Sequence, residues 1–135
     1  MKKLLLLITF VLFSVSMFSQ TRQRESYYQA EFAKVLNGET EVVLPDRTRV
    51  DIVTDKYAIE VDFGYKWAES IGQALYYEKI LDKKAGVLLV LEGKEEERFL
   101  NRLMTVAVEH GIRVWVWDWT TDTWSNVDYK LEYLY

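Results

Sequence analysis

Arg49-Val50-Asp51-Ile52-Val53-Thr54-Asp55-Lys56-Tyr57-Ala58-Ile59-Glu60-Val61-Asp62-Phe63 decides the fold. Val50 and Ile52 alternate with polar neighbours, and so do Ile59, Val61 and Phe63, which is the period of strands with one buried face. If Asp55-Lys56 make a two-residue turn, Thr54 pairs with Tyr57 and the ladder runs back two residues at a time. Asp51 then stands opposite Glu60, while Ile52 faces Ile59 on the other side of the sheet. Opposed β-carbons in such a ladder are about 5 Å apart, and like charges placed there repel. Two readings of the acid pair are open: a solvated face where water screens both charges, or a site for a hard divalent cation with oxygen ligands. Asp62 falls opposite Arg49 in this register, which admits either a cross-strand ion pair or ligation.

Outward from the hairpin, residues 24–36 read as a helix. Tyr28, Phe32, Val35 and Leu36 recur at three- and four-residue steps, and Asn37-Gly38 stops it. Glu31 shares a face with Tyr28 and Val35, where an acid needs a partner. Residues 41–44 form a short strand ended by Pro45. After Gly64, residues 66–81 read as a helix with Trp67, Ile71, Ala74, Leu75 and Ile80 on its core side. Lys66, Ser70, Gln73 and Tyr77 make one polar stripe along it. The tight connection at Gly64-Tyr65 lays the first turn over the end of the acidic strand, bringing the Lys66 ammonium near the carboxylates.

Residues 87–91 are an unbroken apolar run, as in a central strand buried on both faces. An amphipathic helix over residues 95–110 and a β-branched, aromatic strand over residues 112–119 follow, with a further hairpin strand over residues 124–129. Trp115, Trp117 and Trp119 share one strand face and are read as packing. The order is helix, three-strand meander, helix, strand, helix, strand: an α/β domain with a mixed sheet flanked by helices.

The chain has 135 residues, enough for one domain over residues 20–135. Lys2 and Lys3 precede an apolar run over residues 4–13 and a mixed stretch through Ser14, Ser16 and Ser19, the layout of a cleaved signal peptide over residues 1–19. That run is short for a membrane span. Export to the periplasm or the medium is therefore expected, with no stable membrane association after cleavage. Cleavage moves the net charge from −4 to −6, against a broad basic nucleic-acid surface. There is no cysteine and a single histidine, His110, so thiolate and multi-histidine metal sites are excluded.

Taken together, Glu31, Val50-Asp51-Ile52, Ala58-Ile59-Glu60-Val61-Asp62 and Gln73-Ala74-Leu75-Tyr76-Tyr77 resemble the PD-(D/E)XK nuclease superfamily. The last stretch is similar to the Gln-x-x-x-Tyr pattern of its exonuclease-like branches. The resemblance covers residues 24–119 and implies a restriction-endonuclease-like αβββαβ core, with one further helix and strand. It implies metal-assisted hydrolysis of phosphodiester bonds in DNA or RNA. Asp51 and Glu60 would hold Mg2+ or Mn2+, helped by Glu31, the backbone carbonyl of Val61 and, on one reading, Asp62. Gln73 and Tyr77 would orient the substrate strand or the attacking water. One position departs from the pattern: Asp62 stands where the family has a lysine. Members are known in which that lysine has moved to the neighbouring helix, and Lys66 is the candidate by position. The alternative function is a catalytically silent module of the same fold that binds nucleic acid or a protein.

Overall fold

The structure, a computed structural model, describes residues 21–128. The expected signal peptide, and Tyr129 of the last expected strand, lie outside the described residues. The order is α1 (Glu25–Leu36), β1 (Glu39–Val43), β2 (Arg49–Val53), β3 (Tyr57–Phe63), α2 (Trp67–Leu81), β4 (Lys84–Leu91), α3 (Glu97–His110), β5 (Arg113–Asp118) and β6 (Thr123–Asn126). The six strands form one mixed sheet in chain order. β3, β4 and β5 run parallel, and the remaining neighbours are antiparallel. The protein is thus an α/β domain, with the sequence of helices and strands read from the chain. Among the described residues, no helix is long and apolar enough to cross a membrane.

The layering follows from the topology. β3 to β4 and β4 to β5 are crossovers that step the same way along the sheet. Right-handed crossovers in one direction put both helices on one face. Accordingly Ala74 of α2 and Leu103, Met104 and Ala107 of α3 pack against Val87, Leu89 and Leu91 of β4. The alternate β4 residues Leu88 and Val90 face Tyr28 and Phe32 of α1, beside Trp115 and Trp117. Covered on both sides, β4 is buried from Ala85 to its end, which is why its sequence lacks alternation. Gly86 admits the Trp115 indole: a β-carbon there would stand 2.9 Å from Trp115 Cζ3 and 3.0 Å from Ile59 Cγ1. Trp115 and Trp117 are therefore core, and Trp119, just past β5, is partly buried against them.

Several boundaries differ from the expectation. β4 begins three residues earlier, because Lys84, Ala85 and Gly86 continue the parallel ladder opposite Tyr57, Ala58 and Ile59. Single 3₁₀ turns, Gly64–Lys66 and Gly93–Glu96, precede α2 and α3. β1 lies at 39–43 rather than 41–44, and β6 at 123–126. Ile80 and Val35 are about half exposed instead of core, since each sits on the outer side of its helix. Val35 being exposed also removes the apolar face assigned to Glu31.

Candidate functional site

The β2–β3 hairpin has the expected register. Ile52 pairs with Ile59 and Val53 with Ala58, and the Thr54 amide donates to the Tyr57 carbonyl at 2.9 Å. Thr54 Oγ1 also accepts from the Lys56 and Tyr57 amides at 3.2 and 2.8 Å, fixing the two-residue turn. The backbone ladder goes no further than Ile52–Ile59. At the next position the Asp51 carboxylate intervenes: its Oδ2 accepts from the Val61 amide at 2.8 Å. A side chain thus completes the bond that the neighbouring strand would make, and Asp51 is drawn to Glu60 where the strands part.

Glu60 and Asp62 are 3 % and 4 % exposed. Residues of β3 at this parity share the α2 face with Ala58, which packs on Tyr77. Glu60 Oε1 and Asp62 Oδ2 are buried without a hydrogen-bond partner, a state that costs free energy for any polar atom. Burial, then the charges of neighbouring acids, pushes both Asp51 and Glu60 well above the usual carboxylate range. For Asp51 the Val61 hydrogen bond opposes the rise without cancelling it. Burial, with a contribution from Glu25, lifts Asp62 to about 6, although Lys66 pulls the other way.

Lys66 reaches this cluster. Its Nζ lies 3.4 Å from Asp62 Oδ1 and 3.7 Å from Glu25 Oε2. Burial disfavours the ammonium, but Asp62 and Glu25 outweigh it and hold its pKa above the ordinary lysine value. Asp62 therefore pairs with Lys66 and not with Arg49, whose Nε bonds Glu41 Oε2 at 2.7 Å. The polar stripe of α2 faces the sheet rather than water. Ser70 is fully buried and donates to the Trp67 carbonyl, while the buried Tyr77 hydroxyl donates to the Arg49 carbonyl at 2.9 Å.

These side chains line one cleft of about 280 Å³, which collects Asp51, Glu60, Asp62, Lys66, Gln73 and Tyr77. Val61 is placed beside it through its amide, while its side chain packs towards α1. Glu31 is not brought there. It pairs with Lys34 on the surface, and the α1 acid that lines the cleft is Glu25. Arg49 and Glu69 also line the cleft, and neither was expected there. The signals were present: Glu25 lies three and seven residues before Tyr28 and Phe32, on the buried face of α1, and Glu69 lies one turn from both Lys66 and Gln73.

Five carboxylates meet two cations in this cleft, so acidic groups outnumber basic ones. Its free donors are hard carboxylate oxygens, which suit Mg2+, Mn2+ or Ca2+ by chemical type. Among the described residues, no group of three or more acids or histidines is arranged to hold a metal ion. Mg2+ is commonly held by one or two carboxylates, with water and phosphate oxygens completing its shell. Asp51 and Glu60, carrying the unpaired Oε1, fit that mode. The chain matches no family model, no curated protein and no solved structure among those compared.

Proposed function

We propose that this chain is a metal-dependent phosphodiesterase with a restriction-endonuclease-like core, cleaving DNA or RNA outside the cytoplasm. What carries the reading is one conjunction: Asp51 and the buried, partly unpaired Glu60 meet where the β2–β3 ladder parts, with the Lys66 ammonium in the same cleft. Asp51 and Glu60 would hold Mg2+ or Mn2+. Such an ion, when bound, polarises a phosphoryl oxygen and lowers the pKa of the attacking water.

The remaining roles belong to side chains of the chain itself. Lys66 offers the positive charge that Asp62 cannot, directed at the non-bridging oxygens as they gain charge. Asp62 and Glu25 hold that ammonium at the rim of the cleft. Gln73 and Tyr77 shape the wall against which the scissile group is oriented. The donor bond from Tyr77 to Arg49 fixes its ring, leaving the hydroxyl oxygen able to accept.

Cleavage of DNA and RNA oligonucleotides with and without Mg2+ tests the proposal. Asp51→Ala and Glu60→Ala should each abolish Mg2+-dependent cleavage in a protein that stays folded. Cleavage that persists in both removes the proposed site. A silent binding module is the second reading, favoured by Asp62 in the lysine position and by the engagement of Lys66 with two acids. Absence of metal binding at millimolar Mg2+ or Ca2+ would select it.

A further inference from the structure

An aromatic pair with one exposed ring, which the roles above leave unused, lies at the turn that carries Lys66. Tyr65, in the 3₁₀ turn between β3 and α2, is 55 % exposed. Its ring lies nearly parallel to that of Phe63, with planes 12° apart and centroids separated by 6.2 Å. Tyr28 meets Phe63 edge-on at 6.0 Å, so the lower ring is anchored in the α1 face of the core. The Arg22 guanidinium sits over Phe63, 4.3 Å from its centroid. The Arg22 segment is held in turn, because the Gln23 amide donates to the Tyr28 hydroxyl at 3.2 Å.

Position ties this stack to the acidic cleft. Tyr65 is the chain neighbour of Lys66, and Phe63 is the neighbour of Asp62. Phe63 alternates with Asp62 and turns to the α1 face, so the link to the cleft runs through Tyr65, whose α-carbon is about 3.8 Å from that of Lys66. Two other exposed aromatics are differently engaged: the Tyr76 hydroxyl bonds Asp46, and Trp124 lies edge-on to Phe32.

Charge then decides what such a platform would take. Duplex binding draws on many Lys and Arg contacts to phosphate. Here the two cations of the cleft, Arg49 and Lys66, already pair with acids. Affinity must then lean on base stacking, which is worth about 1–3 kcal/mol per base and tolerates any sequence, with the Arg22 guanidinium as a nearby cation. Bases inside a duplex have their faces covered by their neighbours. An unpaired base has a face to offer.

We propose that Tyr65, backed by Phe63 and flanked by Arg22, stacks an unpaired nucleobase, and that the substrate class is single-stranded DNA or RNA. This rests on the nuclease reading for its consequence, but it is tested without catalysis. A single-stranded oligonucleotide carrying 2-aminopurine, in DNA and RNA forms, is titrated with the full chain in chelator beside the matching duplex. The single strand should bind more tightly than the duplex, with 2-aminopurine quenched on binding. Tyr65→Ala should weaken single-strand binding at least about fivefold and remove the quench, while Tyr65→Phe keeps both. Equal binding by Tyr65→Ala, a preference for duplex, or no binding by the parent chain overturns the proposal. Stacking found without Mg2+-dependent cleavage would sink the nuclease reading alone. Cleavage without stacking would sink this proposal alone.

Discussion

The carboxylate of Asp51 accepts the hydrogen bond of the Val61 amide, so a side chain stands in for backbone at the point where β2 leaves β3. The same carboxylate stabilises the split and places a charge beside Glu60, which adds to burial in raising the Glu60 pKa, while Asp51 is itself raised by burial and then by Glu25, Asp62 and Glu41. These two effects separate under substitution. Asp51→Asn keeps an acceptor for Val61 and removes the repulsion, so in chelator at pH 8 it should be more stable than the parent chain. Asp51→Ala also removes the repulsion but orphans the amide. It should lie below Asp51→Asn by about 1–3 kcal/mol in urea unfolding. The opposite order would mean that the Val61 bond is not what holds the strands apart.

A second prediction concerns pH and metal. In the unfolded chain these carboxyls titrate near their ordinary values, about 4. The folded protein keeps their protons to higher pH, to about 6 for Asp62 and further for Asp51 and Glu60. Between those limits the folded state binds more protons, so stability is fullest below about pH 4 for these groups and falls as pH rises. In chelator, the melting temperature should drop by about 5 °C or more from pH 5 to pH 8. Millimolar Mg2+ at pH 8 should reverse the drop, by about 2.7 kcal/mol at a hundredfold excess over Kd. Glu60→Gln should flatten the pH dependence and abolish the response to Mg2+. A melting temperature that rises over this range in chelator would contradict the buried-acid account.

On the proposed reading, substitution of Lys66 should separate activity from metal binding. Its ammonium sits beside Asp62 rather than between Asp51 and Glu60. Lys66→Met should therefore leave the Mg2+-induced thermal shift in place while lowering kcat about 10²- to 10³-fold, as for loss of one donor to a developing anion. Lys66→Arg should restore part of it. Equal loss of the thermal shift and of cleavage in Lys66→Met would assign the residue to the fold instead.

What the sequence disclosed depended on whether local spacing or tertiary placement was in control. The Asp51–Glu60 opposition was legible because a two-residue turn and strict alternation leave one register. Lys66 was legible because Gly64-Tyr65 allows only a short connection between β3 and α2. The parting of the ladder at Asp51 was not, since alternation looks the same whether backbone or side chain makes the next bond. The start of β4 was missed because Lys84, Ala85 and Gly86 carry little strand propensity and are held by pairing with β3. Of the two readings open for Asp62, the ion pair with Arg49 fails for a related reason. A flat register puts Arg49 across from it, but the strands have separated there and α2 supplies the nearer cation.

The acid contributed by α1 gives the sharpest comparison between sequence and structure. Glu31 is the first-helix acid that the resemblance pointed to, yet it is partly exposed and paired with Lys34. Glu25, two turns earlier, lines the cleft and lies 3.7 Å from Lys66. Its charge helps to raise the pKa of Asp51, Glu60 and Asp62. Glu25→Gln removes that charge, so the acid limb of Mg2+ binding should move to lower pH. It also loosens the hold on Lys66, which should cost about tenfold in cleavage, in the range seen when groups that orient a metal site are lost. Glu31→Gln should change neither the pH profile nor the rate. Parallel pH profiles of the two variants decide the matter: if Glu31→Gln shifts the limb and Glu25→Gln does not, α1 presents its other face to the site.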